Sequence, residues 1–343
     1  MEYTFLVGAR QCRALTVFYA NENCYIFETG RMRTQFRMKN KPARFLGTAL
    51  TLTLATMAFS PLASSSTPSS PVPQPSQDIP AVTNEPLSYK LETYNSKSLR
   101  GKRTYGVALP PGYEDSSTQR YPVIFLLHGG HGEPTDWFNP QKGAVLKTLE
   151  QLYAEGKLPP SIIITPDGND RRGSSPYWDP QYIDGPNGKV STAVGDELVK
   201  VIQSRYRTLP APNFWAIGGC SSGGWGAMNV GLHHLNHFSI LFSHSGYFRD
   251  KSGVQNSPIR FVKKLSLEQR QKIRIYLDTG KADSSSLKES QQFHTLLSQL
   301  KIKHVFQEFP GEHSWRYWRE HLTNSLAFVG EQFQQIQQTQ SQQ

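Results

Sequence analysis

Phe214–Leu235 reads FWAIGGCSSGGWGAMNVGLHHL, and three short pieces of it decide the fold. FWAI (Phe214–Ile217) is an apolar run of strand type. GGCSSGG (Gly218–Gly224) is a turn containing the pattern G-x-S-x-G, centred on Ser221, and WGAMNVGLHHL (Trp225–Leu235) is compatible with a helix. Strand, tight turn and helix in that order place a serine on a cramped corner, where Gly219 and Gly223 let neighbouring backbones pass without a Cβ clash. The corner also sets Ser221 at a helix N-terminus, whose free N–H groups and dipole favour negative charge. Ser221 is therefore the candidate nucleophile, and Cys220 occupies only the flanking position.

Outward from this corner, apolar strand-type runs recur at Tyr105–Leu109, Val123–Leu127, Ile162–Thr165, Ile240–Ser243, Ile273–Leu277 and Val305–Glu308. Helical periodicity falls between them: Val194, Leu198, Val201 and Ile202 form one stripe, and Phe293, Leu296, Leu297 and Leu300 another. Strands alternating with helices predict an α/β fold with a mostly parallel central sheet covered by helices on both faces.

A serine nucleophile needs a base and an orienting acid, which in this architecture follow it in the chain, each in a loop after a later strand. IRIYL (Ile273–Leu277) is followed by Asp278-Thr279-Gly280-Lys281-Ala282-Asp283, and VFQEF (Val305–Phe309) by Pro310-Gly311-Glu312-His313-Ser314-Trp315. His313 is the candidate base. His294 falls on a helical stripe, His304 at a strand start and His321 on the final helix. Asp283 and Asp278 compete for the acid; Asp283, beyond the turn at Gly280, is favoured.

The oxyanion of acyl transfer needs two backbone N–H donors. Ser222, directly after the nucleophile, is expected to give one, and Gly130, in the glycine-rich loop His128-Gly129-Gly130-His131-Gly132, the other. A metal site made from His128 and His131 would need acidic or cysteine partners at ligand spacing, and none is convincing, so no metal is expected, and no organic cofactor is called for. Trp137, Trp225 and Trp315, with Tyr177, Trp178, Tyr182 and Trp318, lie in stretches that frame the site; Trp137, Trp225 and Trp315 are the candidate substrate-binding residues, suited to stacking on a sugar or phenolic group.

The N-terminal part reads differently. FLGTALTLTLATMAFSPLA (Phe45–Ala63), preceded by Lys39, Lys41 and Arg44, has the layout of a secretory signal. A signal begins near the initiating methionine, which predicts a start at Met38 and leaves 1–37 outside the mature protein. Residues 64–86, including PSSPVPQPSQ, are a Ser/Pro-rich linker, 87–333 are the catalytic domain, and 334–343 are a polar tail. The expected location is secreted or periplasmic, with no stable membrane insertion after cleavage. Of the formal net charge of +10, residues 1–63 supply half, with eight Lys/Arg against three Asp/Glu, and the remainder has 29 against 24. Without long basic runs this predicts no nucleic-acid partner. Cys12 and Cys24 precede Ala63, so the mature chain keeps only Cys220 and rests on its core rather than on an internal disulfide.

Several segments together carry a resemblance: VALPPGY (107–113), FLLHGGHGEPTDW (125–137), ITPDGND (164–170), GGCSSGGWGAMNV (218–230), HSGYF (244–248), LDTGKAD (277–283) and FPGEHSWRYWREHL (309–322). In this order they resemble the esterase D family of α/β-hydrolases, with feruloyl and acetyl-xylan esterases, S-formylglutathione hydrolase, enterochelin esterases and mycolyltransferases, over about Ser88–Phe333. The resemblance implies Ser221, Asp283 and His313 as a triad, with an oxyanion hole near Gly130 and Ser222. It departs where similar proteins often carry methionine and this chain has Ser222. The expected activity is hydrolysis of a carboxylic ester, carbohydrate-linked or a small acyl or aryl ester, through an acyl-enzyme. The competing readings are an acyltransferase using the same residues and a noncatalytic carbohydrate-binding module.

Overall fold

The computed structural model describes residues 86–174, 181–249 and 253–342, together with the backbone of four strands within 2–37. Contacts divide the chain into Met1–Ser76 and Gln77–Gln343. In the first unit, β1 (Glu2–Val7), β2 (Arg13–Ala20), β3 (Asn23–Glu28) and β4 (Arg31–Arg37) pair antiparallel in chain order. The sequence reading assigns no fold to these residues. The expected signal segment, and the linker up to residue 85, lie outside the described residues.

The second unit is built on eight strands: β5 (Tyr89–Ser96), β6 (Gly101–Ala108), β7 (Val123–Leu127), β8 (Ile162–Pro166), β11 (Trp215–Cys220), β12 (Ile240–His244), β13 (Arg274–Gly280) and β14 (His304–Phe309). Two-residue strands β9 (Asp184–Gly185) and β10 (Gly188–Lys189) pair separately. The sheet order is β14-β13-β12-β11-β7-β8-β6-β5. From β14 to β8 every pairing is parallel, and β6 and β5 add antiparallel. Every residue of β7, β8, β11 and β12 is buried, so both faces are covered, and these strands are the apolar runs that the sequence displays. Edge strand β5 buries only Tyr94 and Ser96, which is why no apolar run announces it.

Helix α1 (Val145–Ala154) packs against the last helix, α8 (Trp315–Ser341), which also lies on β12 and β13. Helix α2 (Val190–Thr192) continues through a π turn at Ala193–Glu197 into α3 (Leu198–Arg205), the first expected stripe. Helix α4 (Ser222–His233) packs on β7, β11 and β12, and α7 (Ser284–Gln299), which carries the second stripe, on β13 and β14. Short helices α5 (Pro258–Phe261) and α6 (Leu267–Lys272) lie between β12 and β13. The expected boundary at Phe333 falls inside α8, and the expected polar tail is its last turns. Gln334 Nε2 donates to the Gly156 carbonyl at 3.1 Å, so the tail begins by docking on the turn after α1. No helix among the described residues is long and apolar enough to cross a membrane.

From β7 the chain steps to β8 on one side and returns to β11 on the other. The strand order therefore reverses between β7 and β11, and the crevice beyond their carboxyl ends is where ligands bind in open parallel sheets. The Gly-rich loop leaves β7 there, and Ser221 follows β11.

Candidate active site

Ser221 has φ 53° and ψ −121°, a left-side conformation that costs an ordinary residue about 1–3 kcal/mol. Its surroundings hold it there: its N–H donates to the His244 carbonyl at 2.9 Å and its carbonyl accepts from Trp225 N–H at 3.0 Å. A Cβ on Gly219 would meet the Leu127 carbonyl oxygen at 2.5 Å, and one on Gly223 would meet the Leu127 and His128 carbonyl oxygens. The two glycines are thus demanded by close backbone approach between β7 and the corner. Cys220 is fully buried and burial pushes its thiol well above the ordinary value, so it stays neutral and away from the cleft.

His313 Nε2 lies 2.8 Å from Ser221 Oγ, and His313 Nδ1 lies 2.6 Å from Asp283 Oδ2. With Nδ1–H donating to the carboxylate, Nε2 is left as the acceptor facing the serine hydroxyl. Burial raises the Asp283 carboxyl, but the hydrogen bond and charge of His313, helped by Ser286 and Ser245, outweigh it and hold Asp283 below the usual carboxylate range. Asp283 also caps α7 by accepting from Ser286 N–H at 3.4 Å. Its rival is engaged elsewhere: Asp278 Oδ1 accepts from His244 Nδ1 at 2.9 Å and from the Tyr317 hydroxyl at 3.2 Å. His244 Nε2 in turn meets Ser325 Oγ at 2.9 Å, so this buried network ties β12, β13 and α8 together behind the cleft.

The cleft holds about 380 Å³, within the range of small-molecule sites. Gly130 and Ser222, the two expected oxyanion donors, both line it with Ser221 and His313, and a Cβ on Gly130 would lie 3.3 Å from Ser222 Oγ. The loop carrying Gly130 is braced from below. His128 Nε2 accepts from Gly168 N–H at 3.0 Å while Nδ1–H donates to the Gly129 carbonyl at 2.8 Å, and burial lowers its pKa, keeping the ring neutral. The Tyr182 hydroxyl donates to the His128 carbonyl at 2.9 Å.

Of the three expected substrate-binding tryptophans, only Trp315 lines the cleft. Trp137 is fully buried and its indole N–H donates to the Leu127 carbonyl at 2.9 Å; Trp225, on the inner side of α4, is also buried. Both are core residues, because a tryptophan near a site in sequence still buries its large apolar area wherever the sheet offers it. Trp318 takes their place, crossing the His313 ring edge to face at 5.0 Å. Tyr182 is likewise core, and Tyr177 and Trp178 lie outside the described residues. The sequence reading missed Tyr247, whose hydroxyl lies 3.1 Å from Ser222 Oγ, although its place just past the carboxyl end of β12 is a usable signal. It also missed the Asp136–Lys142 ion pair at 2.5 Å in the cleft wall, which no local pattern marks. Among the described residues, no group of three or more His, Cys, Asp or Glu is placed to hold a metal ion.

Sheet order, nucleophile corner and crevice define an α/β-hydrolase. Residues 96–329 match the family model described as Putative esterase, and the chain belongs to this family of carboxylic ester hydrolases. It is 25% identical over 271 residues to an acetyl esterase of Caldicellulosiruptor saccharolyticus, covering 69% of this chain and 96% of that protein. A Corynebacterium glutamicum protein is 23% identical over 273 residues, covering 74% of this chain, which spans only 62% of that relative's length. Among solved structures, a ferulic acid esterase superposes with a TM-score of 0.66 at 27% identity, covering 73% of this chain and all of the other.

Proposed function

We propose that this chain is an exported serine esterase acting through an acyl-enzyme. His313 Nε2 takes the Ser221 proton as Oγ attacks the ester carbonyl, Asp283 orients the imidazole and stabilises its protonated form, and the backbone N–H groups of Gly130 and Ser222 receive the oxyanion. His313 then gives the proton to the departing alcohol, and water repeats the sequence on the acyl-enzyme. The observation that carries the reading is the continuous pair of contacts, 2.8 Å and 2.6 Å, from Ser221 through His313 to Asp283 in an open cleft. The aromatic wall of Trp315 and Trp318 suits a carbohydrate-linked ester or a small acyl or aryl ester. Kinship with an acetyl esterase and likeness to a ferulic acid esterase agree with that class. Export rests on the sequence of residues 38–63.

The test is labelling of the purified protein with a fluorophosphonate probe and turnover of p-nitrophenyl and feruloyl esters, beside Ser221→Ala. Both signals are expected to vanish in the variant, a loss of at least about 10³-fold in kcat. A wild-type protein that neither labels nor turns over any ester refutes the reading. Product analysis with added alcohols distinguishes hydrolysis from acyl transfer.

A further inference from the structure

The excursion between β12 and β13, residues 245–273, plays no part in the chemistry above beyond Ser245 and Tyr247, yet it carries the body's surplus charge. It holds seven Lys/Arg against two Asp/Glu, whereas the rest of residues 64–343 holds 22 of each. Local contacts hold its described stretch, 253–273, together and against α4. Phe261 of α5 stacks on His233 with ring centroids 3.9 Å apart, Ser266 caps α6, and Arg270 Nη2 donates to the Lys263 carbonyl at 2.8 Å. Arg260, Lys263 and Lys264 are exposed, and among the described residues no carboxylate pairs with them. Lys272, by contrast, is neutralised by Glu268 at 2.5 Å. Solvation accounts for lysines scattered over a surface. It does not account for the whole surplus being gathered in one excursion of a body that is otherwise balanced.

The excursion leaves the cleft at Tyr247, and its α5 part reaches the far end of α4 from the nucleophile. Helix α4 starts at Ser222, and its twelfth residue, His233, is the one Phe261 covers; at about 1.5 Å per residue this sets His233 about 18 Å along the helix from Ser221, with Phe261, the neighbour of Arg260, stacked on it. A second site at that distance serves a long ligand rather than a small one.

We infer that the excursion around Arg260, Lys263, Lys264 and Arg270 holds an acidic polysaccharide chain, retaining a polymeric substrate while its esterified units visit the cleft. This rests on the esterase reading for the use of the surface, though not for the binding itself. Tethering one segment of a polymer raises the effective concentration of its neighbours at the cleft. A membrane surface fits less well: Val254 and Leu267 are the only exposed large hydrophobics of the described excursion, too few to enter a bilayer. Single-stranded nucleic acid fits less well too, since beside the basic side chains Phe248 is buried and Phe261 is covered by His233, and neither offers a base a stacking platform.

The experiment compares the full chain with Arg260→Glu/Lys263→Glu/Lys264→Glu, and with Lys263→Gln/Lys264→Gln as a milder variant. Binding to polygalacturonate, to neutral dextran and to phosphatidylglycerol vesicles is measured at about 0.1 M and about 1 M salt, between which the screening length falls from about 10 Å to about 3 Å. The wild type is expected to bind polygalacturonate at low salt only and to ignore dextran. The triple variant should bind at least about 10-fold more weakly and the milder variant in between, all three turning over p-nitrophenyl acetate equally. Absent polygalacturonate binding, binding unchanged in both variants, or tighter binding to the vesicles overturns the inference. A wild type that takes no fluorophosphonate label and turns over no ester refutes the esterase reading instead, and the polygalacturonate arms then decide the binding inference by themselves.

Discussion

Asp283 is set against His313 by a loop, and the consequence is measurable in the stability of the protein. Its carboxyl is held below the ordinary range of about 3.9, so folding favours the charged form. That contribution is complete above the unfolded value and is lost as pH falls through the folded one. Asp283→Asn is therefore expected to lower the unfolding midpoint near neutral pH, with the difference shrinking below about pH 4. Thermal melts of both proteins from pH 7 to 3 check it, and a constant difference refutes it. The preference for Asp283 over Asp278 rests in the sequence on the turn at Gly280 alone; that Asp278 lies within β13 and is engaged by His244 and Tyr317 is decided by the packed sheet. Which tryptophans face the cleft was not legible, because Trp137, Trp225 and Trp315 each follow a loop or corner of the site in the chain, and only the packed sheet decides which of them is drawn into the core.

At the scale of elements, the corner between β11 and α4 is where the sequence is read best, though the structure is tighter: the expected turn Gly218–Gly224 contracts to Ser221, with β11 running to Cys220 and α4 starting at Ser222. A strand run, glycines at fixed offsets and a helix leave one way to turn, and the carbonyls of Leu127 and His128 enforce it. The ties between elements are a different matter. His244, Asp278, Tyr317 and Ser325 stand up to 81 positions apart and meet in a fully enclosed network. Removing His244 leaves the Asp278 carboxyl buried without its nearest donor, so His244→Ala is expected to cost about 3 kcal/mol in denaturant unfolding. A cost below about 1 kcal/mol, the range of surface pairs, would contradict this account of the brace. The brace also bears on the site, because α8 follows the loop of His313 and β13 precedes that of Asp283.

Across the whole molecule, the body from residue 86 onward buries its own core, and the site needs nothing outside it among the described residues. If export removes the leader, N-terminal sequencing of the mature protein is expected to find a start just past Ala63 and before Leu87; a mature protein that begins at Met1 refutes that reading. The sequence by itself determined the alternation of strands and helices, the nucleophile corner and the ordered serine, aspartate and histidine, because these depend on apolar periodicity, glycine geometry and chain order, all local. Only the tertiary structure decided the edge strand β5, the continuation of α8 through the polar end of the chain, the core fate of Trp137 and Trp225, and the company of Tyr247, Asp136 and Lys142. Those depend on which distant surfaces the sheet brings together, and burial competes there among residues that look alike along the chain.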